Sequence, residues 1–416
     1  MRHTIAWRPA MDEIIVGIDV GTTKICTLVG RVEAEGQIRI LGLGIEPSAG
    51  MKKGVVVDLK AASEAIRRSV EKAEQTSGLE IAAALVSLAG SNVASVNSRG
   101  AVAVPHGQIE AVDIVRALDQ AQAIAIPNDR EIVHIIQRDF SVDGQGGIRS
   151  PLGMHGYRLE VEAHIITASA AALGNLRECV RAAGVEVVQF VLNPLASAEV
   201  VLTEQERQLG VAVCDMGGGT TDLAIYVDGN VWHTMVLAVG GNHITQDIAH
   251  GLRLPFNQAE EVKIQYGHAL RRAVNTEEVF TIRPFGEEQD VEILRQDLAY
   301  IIQARVEEMF LLILQEIKRS GFDGLLPAGL VLTGGSSALP GIRQLAAEVL
   351  GMPVRIAKPE NLQGMADRLG SPAYSTSVGL LQWAISMRAQ ELNSRMHRRA
   401  ERNPSRLWEW LRRLLP

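Results

Sequence analysis

Apolar and polar positions along the chain lay out one unit twice. From residue 14 to 29 an apolar run (IIVGID) leads into a glycine and threonine turn (VGTTK) and then a second β-rich run (ICTLVG), the pattern of a β-hairpin with a polar tip. The pattern returns 196 residues later, from Asp19 to Asp215, as VAVCD, MGGGTTD and LAIYV between Val211 and Val227. Such self-similarity predicts an internal duplication. A third apolar run, Gly329 to Leu332, ends in Thr333-Gly334-Gly335-Ser336-Ser337, and Pro340 then stands just inside a helical pattern that continues to Leu350. Leu294 to Ile317 has the spacing of a long amphipathic helix.

The turns carry the candidate chemistry. Gly21 in the first and Gly217, Gly218 and Gly219 in the second let backbone N–H groups come close to a phosphate; the hydroxyls of Thr22, Thr23, Thr220 and Thr221 add donors, and Lys24 adds a point charge. Asp19 and Asp215 end the first strand of each unit. They are candidates to hold Mg²⁺ through water, since that ion keeps much of its hydration and takes one or two carboxylates plus phosphate oxygens. Either motif alone is also an ordinary hairpin turn; two in matching strand contexts favour the phosphate reading. The Gly-Gly turn after the third strand offers a flat surface on which a purine can lie. Neither the Walker signature (G-x-x-x-x-G-K followed by Ser or Thr) nor G-x-G-x-x-G occurs, which removes P-loop and Rossmann readings.

Composition narrows the class further. A chain of 416 residues is long for one core, so two domains or a subdivided architecture is expected. A net charge of -7 lacks the basic footprint of a general nucleic-acid binder. Cys26, Cys179 and Cys214 are odd in number and show no metal spacing, which argues against a disulfide framework or structural zinc and fits the cytosol. No run approaches the roughly 18 apolar residues of a spanning helix. His134, His164, His233 and His243 form no metal-spaced pair and read as structural residues. The patterned sequence begins at Glu13, so Met11 stands as an alternative start.

The last residues differ from the rest. From Ser386 to Pro416 there are eight arginines and three glutamates, a local +5 against -12 for everything before. A polar linker precedes the terminal block SRLWEWLRRLLP. With Ser405 as N-cap, Leu407, Trp408, Trp410, Leu411, Leu414 and Leu415 fill an arc of about 160°, and Arg406, Glu409, Arg412 and Arg413 lie opposite. Docking on its own domain or binding a lipid surface would each bury that face. Position at the end of a polar linker, paired Trp with Leu, and arginine as the dominant polar residue favour the lipid surface.

In this order the three turn motifs resemble the two phosphate motifs and the adenosine motif of the actin, heat-shock chaperone and sugar-kinase superfamily. Within it the chain resembles the FtsA family of bacterial cell-division proteins, through HIIQRDFSVDGQGGIRSPLGMHGYRLEVEAHIITA (His134 to Ala168), LNPLASAEVVLT (Leu192 to Thr203), VGGNHITQDIAHGLRLPFNQAEEVKIQYG (Val239 to Gly267) and SPAYSTSVGLLQWA (Ser371 to Ala384). The resemblance implies an α/β, two-lobed actin-like ATPase fold. Lobe one (1A) would take 13–91 and 166–203, interrupted by an FtsA-type 1C insertion at 92–165. Lobe two (2A) would take 204–232 and 326–385, interrupted by subdomain 2B at 233–325. A linker (386–404) and a membrane-binding amphipathic helix (405–416) would follow.

By the same resemblance ATP and Mg²⁺ are the cofactors. Asp19, Gly21, Thr22, Thr23 and Lys24 would line one phosphate loop, and Asp215, Gly217, Gly218, Gly219, Thr220 and Thr221 the other, with Gly240 and Gly241 close by. Glu260 and Lys263, one helical turn apart, would face the ribose and adenine, where their sequence alone reads as an ordinary helix pair. Gly334, Gly335 and Ser336 would back the base. Asn193 stands where many superfamily members place a residue that orders the attacking water; an amide can position water but cannot take its proton, so hydrolysis is expected to be slow or negligible. The family's function would be to polymerise head to tail on the cytoplasmic face of the cell membrane at the division site, tether the FtsZ C-terminal tail through 2B, and recruit later division proteins through 1C, with anionic lipids and no nucleic acid among its partners. A phosphotransferase of the same fold and a type IV pilus scaffold are the competing readings.

Overall fold

The computed structural model describes residues 13–33 and 37–387. The terminal helix expected over 405–416, with Leu407, Trp408, Trp410, Leu411, Arg412, Arg413, Leu414 and Leu415, lies outside the described residues, as does the linker beyond residue 387.

Each repeated unit seeds a sheet. In the first lobe Glu13–Val20, Lys24–Val32 and Ile38–Pro47 form an antiparallel meander, and Ala83–Leu88 and then Glu186–Leu192 add in parallel on the side of the first strand. In the second, Val211–Met216, Thr221–Val227 and Asn230–Leu237 form the meander, and Leu330–Thr333 and Val354–Ile356 add in the same sense. Both sheets are covered on both faces, which is why their strands read as almost unbroken apolar runs.

The covering helices are exchanged between the lobes. One face of the first sheet packs Ile18, Ile25 and Val86 with Ile66 and Val70 of helix Leu59–Ser77 and with Leu173 of helix Ala170–Ala182. Asp58 caps the first of these helices by accepting from Ala61 N–H. The other face packs Ile15 and Leu28 against Val378, Leu380, Leu381 and Ala384 of the helix at 375–387. That helix follows the second lobe's strands in sequence. In return, helix Asn193–Val201, which follows the first lobe's last strand, places Leu195, Ala198 and Val201 against Val213, Ala224 and Val331 of the second sheet. The two exchanged helices cross at Gly379, where an added Cβ would stand 2.0 Å from the Ala196 carbonyl oxygen.

The long helix expected over 294–317 forms as Arg295–Arg319 and, with Gly241–Leu252 and Phe256–Tyr266, closes the largest core. The residues between the first lobe's segments make a separate antiparallel sheet in the order Val93–Ala103, Arg158–Ser169, Arg130–Val142, Gln145–Ile148, with helix Ala111–Gln122 on one face. This insertion touches the second lobe's strand Asn230–Leu237. His164 Nε2 lies 2.9 Å from Thr234 Oγ1, Ser95 donates to the Thr234 carbonyl, and the Arg138 guanidinium stacks 3.4 Å from the Trp232 ring centroid. Burial, with smaller contributions from His233, Arg138 and His134, pushes the His164 imidazole down to about 3.

Candidate functional site

The two hairpin turns meet in a cleft of about 340 Å³ between the lobes. Their backbones match bond for bond. Gly21 N–H donates to the Lys24 carbonyl at 3.0 Å, and Gly217 N–H donates to the Thr220 carbonyl at 2.9 Å. The strand registers pair Val20 with Ile25 and Met216 with Thr221, so each turn spans four residues. Thr22 and Thr23 therefore correspond to Gly218 and Gly219, not to the Thr220-Thr221 pair that the letters suggest. The loops meet tip to tip: a Cβ on Gly218 would stand 2.1 Å from Thr23 Oγ1, and one on Gly219 2.4 Å from Thr22 Oγ1. Glycine in one loop is what lets threonine of the other approach.

The third motif packs behind the second. Gly334 holds φ 84°, a left-handed conformation, and a side chain there would meet Asp215 Oδ1 at 2.4 Å. Ser336 Oγ donates to the Gly217 carbonyl at 2.9 Å. Helix Gly241–Leu252 starts against the same loop, with Gly241 N–H on the Gly217 carbonyl and Asn242 N–H on the Gly218 carbonyl. At the far wall Lys263 Nζ donates to Glu260 Oε2 at 2.6 Å, Thr245 Oγ1 at 2.8 Å and the Gly241 carbonyl at 3.2 Å. Burial pulls the Lys263 ammonium below its usual range, and Glu260 opposes that. Ile264, 73% exposed, adds an apolar edge to this wall.

Of the residues singled out in the sequence, Asp19, Gly21, Thr22, Thr23, Lys24, Asn193, Asp215, Gly217, Gly218, Gly219, Thr220, Gly241, Glu260, Lys263, Gly334, Gly335 and Ser336 line the cleft. Thr221 and Gly240 stand behind it. Thr221 is buried and donates to the Val239 carbonyl, and a Cβ on Gly240 would press on the Gly217 carbonyl. Lys24 Nζ turns to the Ala373 carbonyl and sits 4.6 Å from the Tyr374 ring centroid.

Sequence reasoning missed several groups. Asp222 closes the second motif and pairs directly with Asp215 across the hairpin; its Oδ2 accepts from Thr220 Oγ1 at 3.1 Å, while Oδ1 is buried without a partner among the described residues. Burial and then the Asp215 charge hold its carboxyl well above the usual range. Burial also raises Asp215, against which the hydroxyls of Ser197 and Thr376 and the charge of Lys24 act, while Asp19 adds to the rise. Asp19 accepts from Ser87 Oγ at 3.0 Å and Ser377 Oγ at 2.7 Å; Asp215 accepts from Ser197 Oγ and from Thr376 Oγ1 at 2.7 Å. Asp222 was visible as the end of D-x-G-G-G-T-T-D. The hydroxyls on 375–377, some 160 residues from Asp215, carry no spacing signal.

Two lobes of matching topology around a cleft of glycine turns and buried aspartates define a protein of the actin-like ATPase fold. Solved structures share it over most of their length: the PilM-PilN type IV pilus biogenesis complex at TM-score 0.63 and 17% identity, covering 88% of this chain and 97% of that one, and MreB 5 of Spiroplasma citri bound to AMPPNP at TM-score 0.56 and 15% identity, covering 93% and 100%. Residues 212–379 match the family "Cell division protein FtsA", and residues 90–167 match "SHS2 domain inserted in FTSA". The cell division protein FtsA of Pseudomonas aeruginosa is 43% identical over 381 residues, covering 92% of this chain and 91% of that protein; the one from Bacillus subtilis is 38% identical over 375 residues, covering 90% and 84%. The chain belongs to the FtsA family of cell division proteins.

Proposed function

We propose that this protein binds ATP with Mg²⁺ in the cleft and uses it as a brace between the lobes. The observation that carries the reading is the tip-to-tip meeting of the two loops, because a polyphosphate seated there touches both lobes at once. The residues fit such a ligand. Glycine turns present backbone N–H groups to the phosphates, and two buried acceptors at the cleft, Asp222 Oδ1 and Asn193 Oδ1, have no partner among the described residues and suit the water shell of the cation. Asp19 and Asp215 would hold Mg²⁺ through water, with Asp222 as a third carboxylate; the ion would supply charge neutralisation of the phosphates. Asn193 would orient a water without deprotonating it, leaving at most a slow ATPase.

In this reading the bound nucleotide sets a polymer-competent arrangement of the lobes. The polymer lies on the cytoplasmic face of the membrane, tethers FtsZ filaments through residues 233–325, and recruits later division proteins through the inserted sheet. The terminal residues, Leu407, Trp408, Trp410, Leu411, Leu414 and Leu415 with Arg412 and Arg413, supply the lipid anchor, which polymerisation multiplies. Co-sedimentation with anionic liposomes, ATP and Mg²⁺, with and without FtsZ, tests it on the full chain and a chain ending at Asn403. Only the full chain should carry FtsZ down, and Trp408→Glu should stay in the supernatant while still binding ATP. Equal pelleting of all three would sink the tail's role.

A further inference from the structure

Three consecutive hydroxyl residues, Ser375, Thr376 and Ser377, open the helix at 375–387, and all three are buried. Side-chain hydroxyls in a helix usually return to their own backbone or to water. These reach outward to three different motifs. Ser375 Oγ lies 2.6 Å from Thr333 Oγ1 at the end of the third strand, Thr376 Oγ1 donates to Asp215 of the second lobe, and Ser377 Oγ donates to Asp19 of the first, the last two at 2.7 Å each. Each aspartate has a second hydroxyl from nearby in its own surroundings, Ser87 for Asp19 and Ser197 for Asp215. Ser197 also lies 2.9 Å from Thr376 Oγ1, beside the Gly379 crossing that leaves the two helices no room to slide.

We propose that Thr376 and Ser377 are positioning residues that fix the two cleft aspartates, one from each lobe, at a set separation and rotation, so that both carboxylates face a Mg²⁺-bound nucleotide together. The inference rests on the reading of the cleft as a nucleotide site. Two carboxylates converging on one place repel, and a buried one is free to turn its oxygens unless donors hold them. Here the hydroxyls of adjacent residues on a single turn hold both. The clasp belongs to neither loop: Ser377 stands behind Asp19 outside the cleft lining, while Thr376 lines the cleft beside Asp215.

Calorimetric titration of ATP into the full chain, once with Mg²⁺ and once with EDTA, tests this in wild type, Thr376→Val, Thr376→Ser and Ser377→Ala, with thermal unfolding of each. Losing a hydroxyl that donates to a carboxylate should weaken Mg²⁺-ATP binding about tenfold or more in Thr376→Val and Ser377→Ala, while EDTA titrations change less than about threefold. Thr376→Ser keeps the donor and should stay near wild type with Mg²⁺. Equal weakening with and without Mg²⁺, or failure of Thr376→Ser to retain affinity, would reduce the hydroxyls to ordinary helix support and overturn the proposal. Should Thr376→Val not fold, Ser377→Ala and Thr376→Ser decide alone. Wild type that binds no ATP under either condition overturns the nucleotide reading itself, an outcome distinct from variants that match a binding wild type.

Discussion

The two lobes share a frame and divide the chemistry. Their meanders and parallel additions run in the same order, their turns have equal length, and the same glycine N–H closes each turn. At equivalent positions the side chains differ. Lobe one has Thr22-Thr23-Lys24 where lobe two has Gly218-Gly219-Thr220, and Cys26 opposite Asp19 where lobe two has Asp222 opposite Asp215. Burial pushes the Cys26 thiol up to about 12, so it is neutral where its counterpart is a carboxyl group. One loop supplies bulk, hydroxyls and a cation; the other supplies bare backbone and a second acid. Duplicated loops that stayed identical would collide at Thr22 and Thr23 or leave a gap between two glycine turns. The asymmetry is what lets them close on one another.

Making the loops alike should therefore produce the largest effect. Gly219→Thr places a Cβ 2.4 Å from Thr22 Oγ1 and 2.9 Å from Thr22 Cβ. Overpacking of this kind costs about 1–3 kcal/mol, so ATP affinity measured by calorimetry should fall up to about 100-fold. Exchanging the partners, Gly219→Thr with Thr22→Gly, should restore a large part of it. A double variant no better than the single would mean that the glycine serves backbone access to the ligand and not the fit between loops.

Much of this was legible beforehand. Apolar runs flanking polar turns located both hairpins, and the repeated Asp-x-Gly marked their equivalence, because a strand buried on both faces and a turn needing glycine leave strong local signals. The exchange of helices between lobes was not legible. The helix at 375–387 packs on the sheet that does not precede it, and Asn193–Val201 lies between the sheets, with Ala196 on the first and Leu195, Ala198 and Val201 on the second; chain order says nothing of which face a helix covers. The turn alignment was hidden for a related reason. Thr-Thr occurs in both motifs, and the ladder register, in step with the 196-residue offset from Asp19 to Asp215, shows the two pairs to be out of step. The clasp on Asp19 and Asp215 depends on residues brought from far along the chain, where polar identity alone gives no partner.

The second carboxylate offers a test of opposite sign. Asp222 is buried beside Asp215 and both carboxyl groups are raised, so in the folded state the pair binds protons more readily than in the unfolded chain. A raised folded pKa contributes stability below the unfolded value near 4 and loses it as pH climbs through the folded value. Ligand-free protein should thus become less stable as pH rises from about 4 toward neutrality on this account. Asp222→Asn removes a charge with an unpartnered oxygen and should raise ligand-free stability at pH 7 by about 1–3 kcal/mol, flatten that slope, and weaken Mg²⁺-ATP binding. Denaturant melts at pH 5 and pH 7 check it. A variant that is destabilised at pH 7 would show that Asp222 is held by groups within the protein and not left for a ligand.

The smallest effect is expected from the feature that separates the loops by charge. Lys24 has no counterpart in lobe two, where Thr220 occupies its place, and its ammonium already rests on the Ala373 carbonyl beside the Tyr374 ring. A cation so tied contributes at longer range than a backbone N–H in contact with phosphate, through Coulomb attraction that salt weakens. Lys24→Met should lower ATP affinity about tenfold at low salt, and the gap from wild type should narrow as ionic strength rises toward 0.5 M, with a Debye length near 4 Å. A gap that ignores salt would mean that Lys24 acts by holding residues 373–374 in place. Loop one would then contribute shape to the cleft, as its threonines do, and the charge difference between the lobes would lie in the aspartates alone.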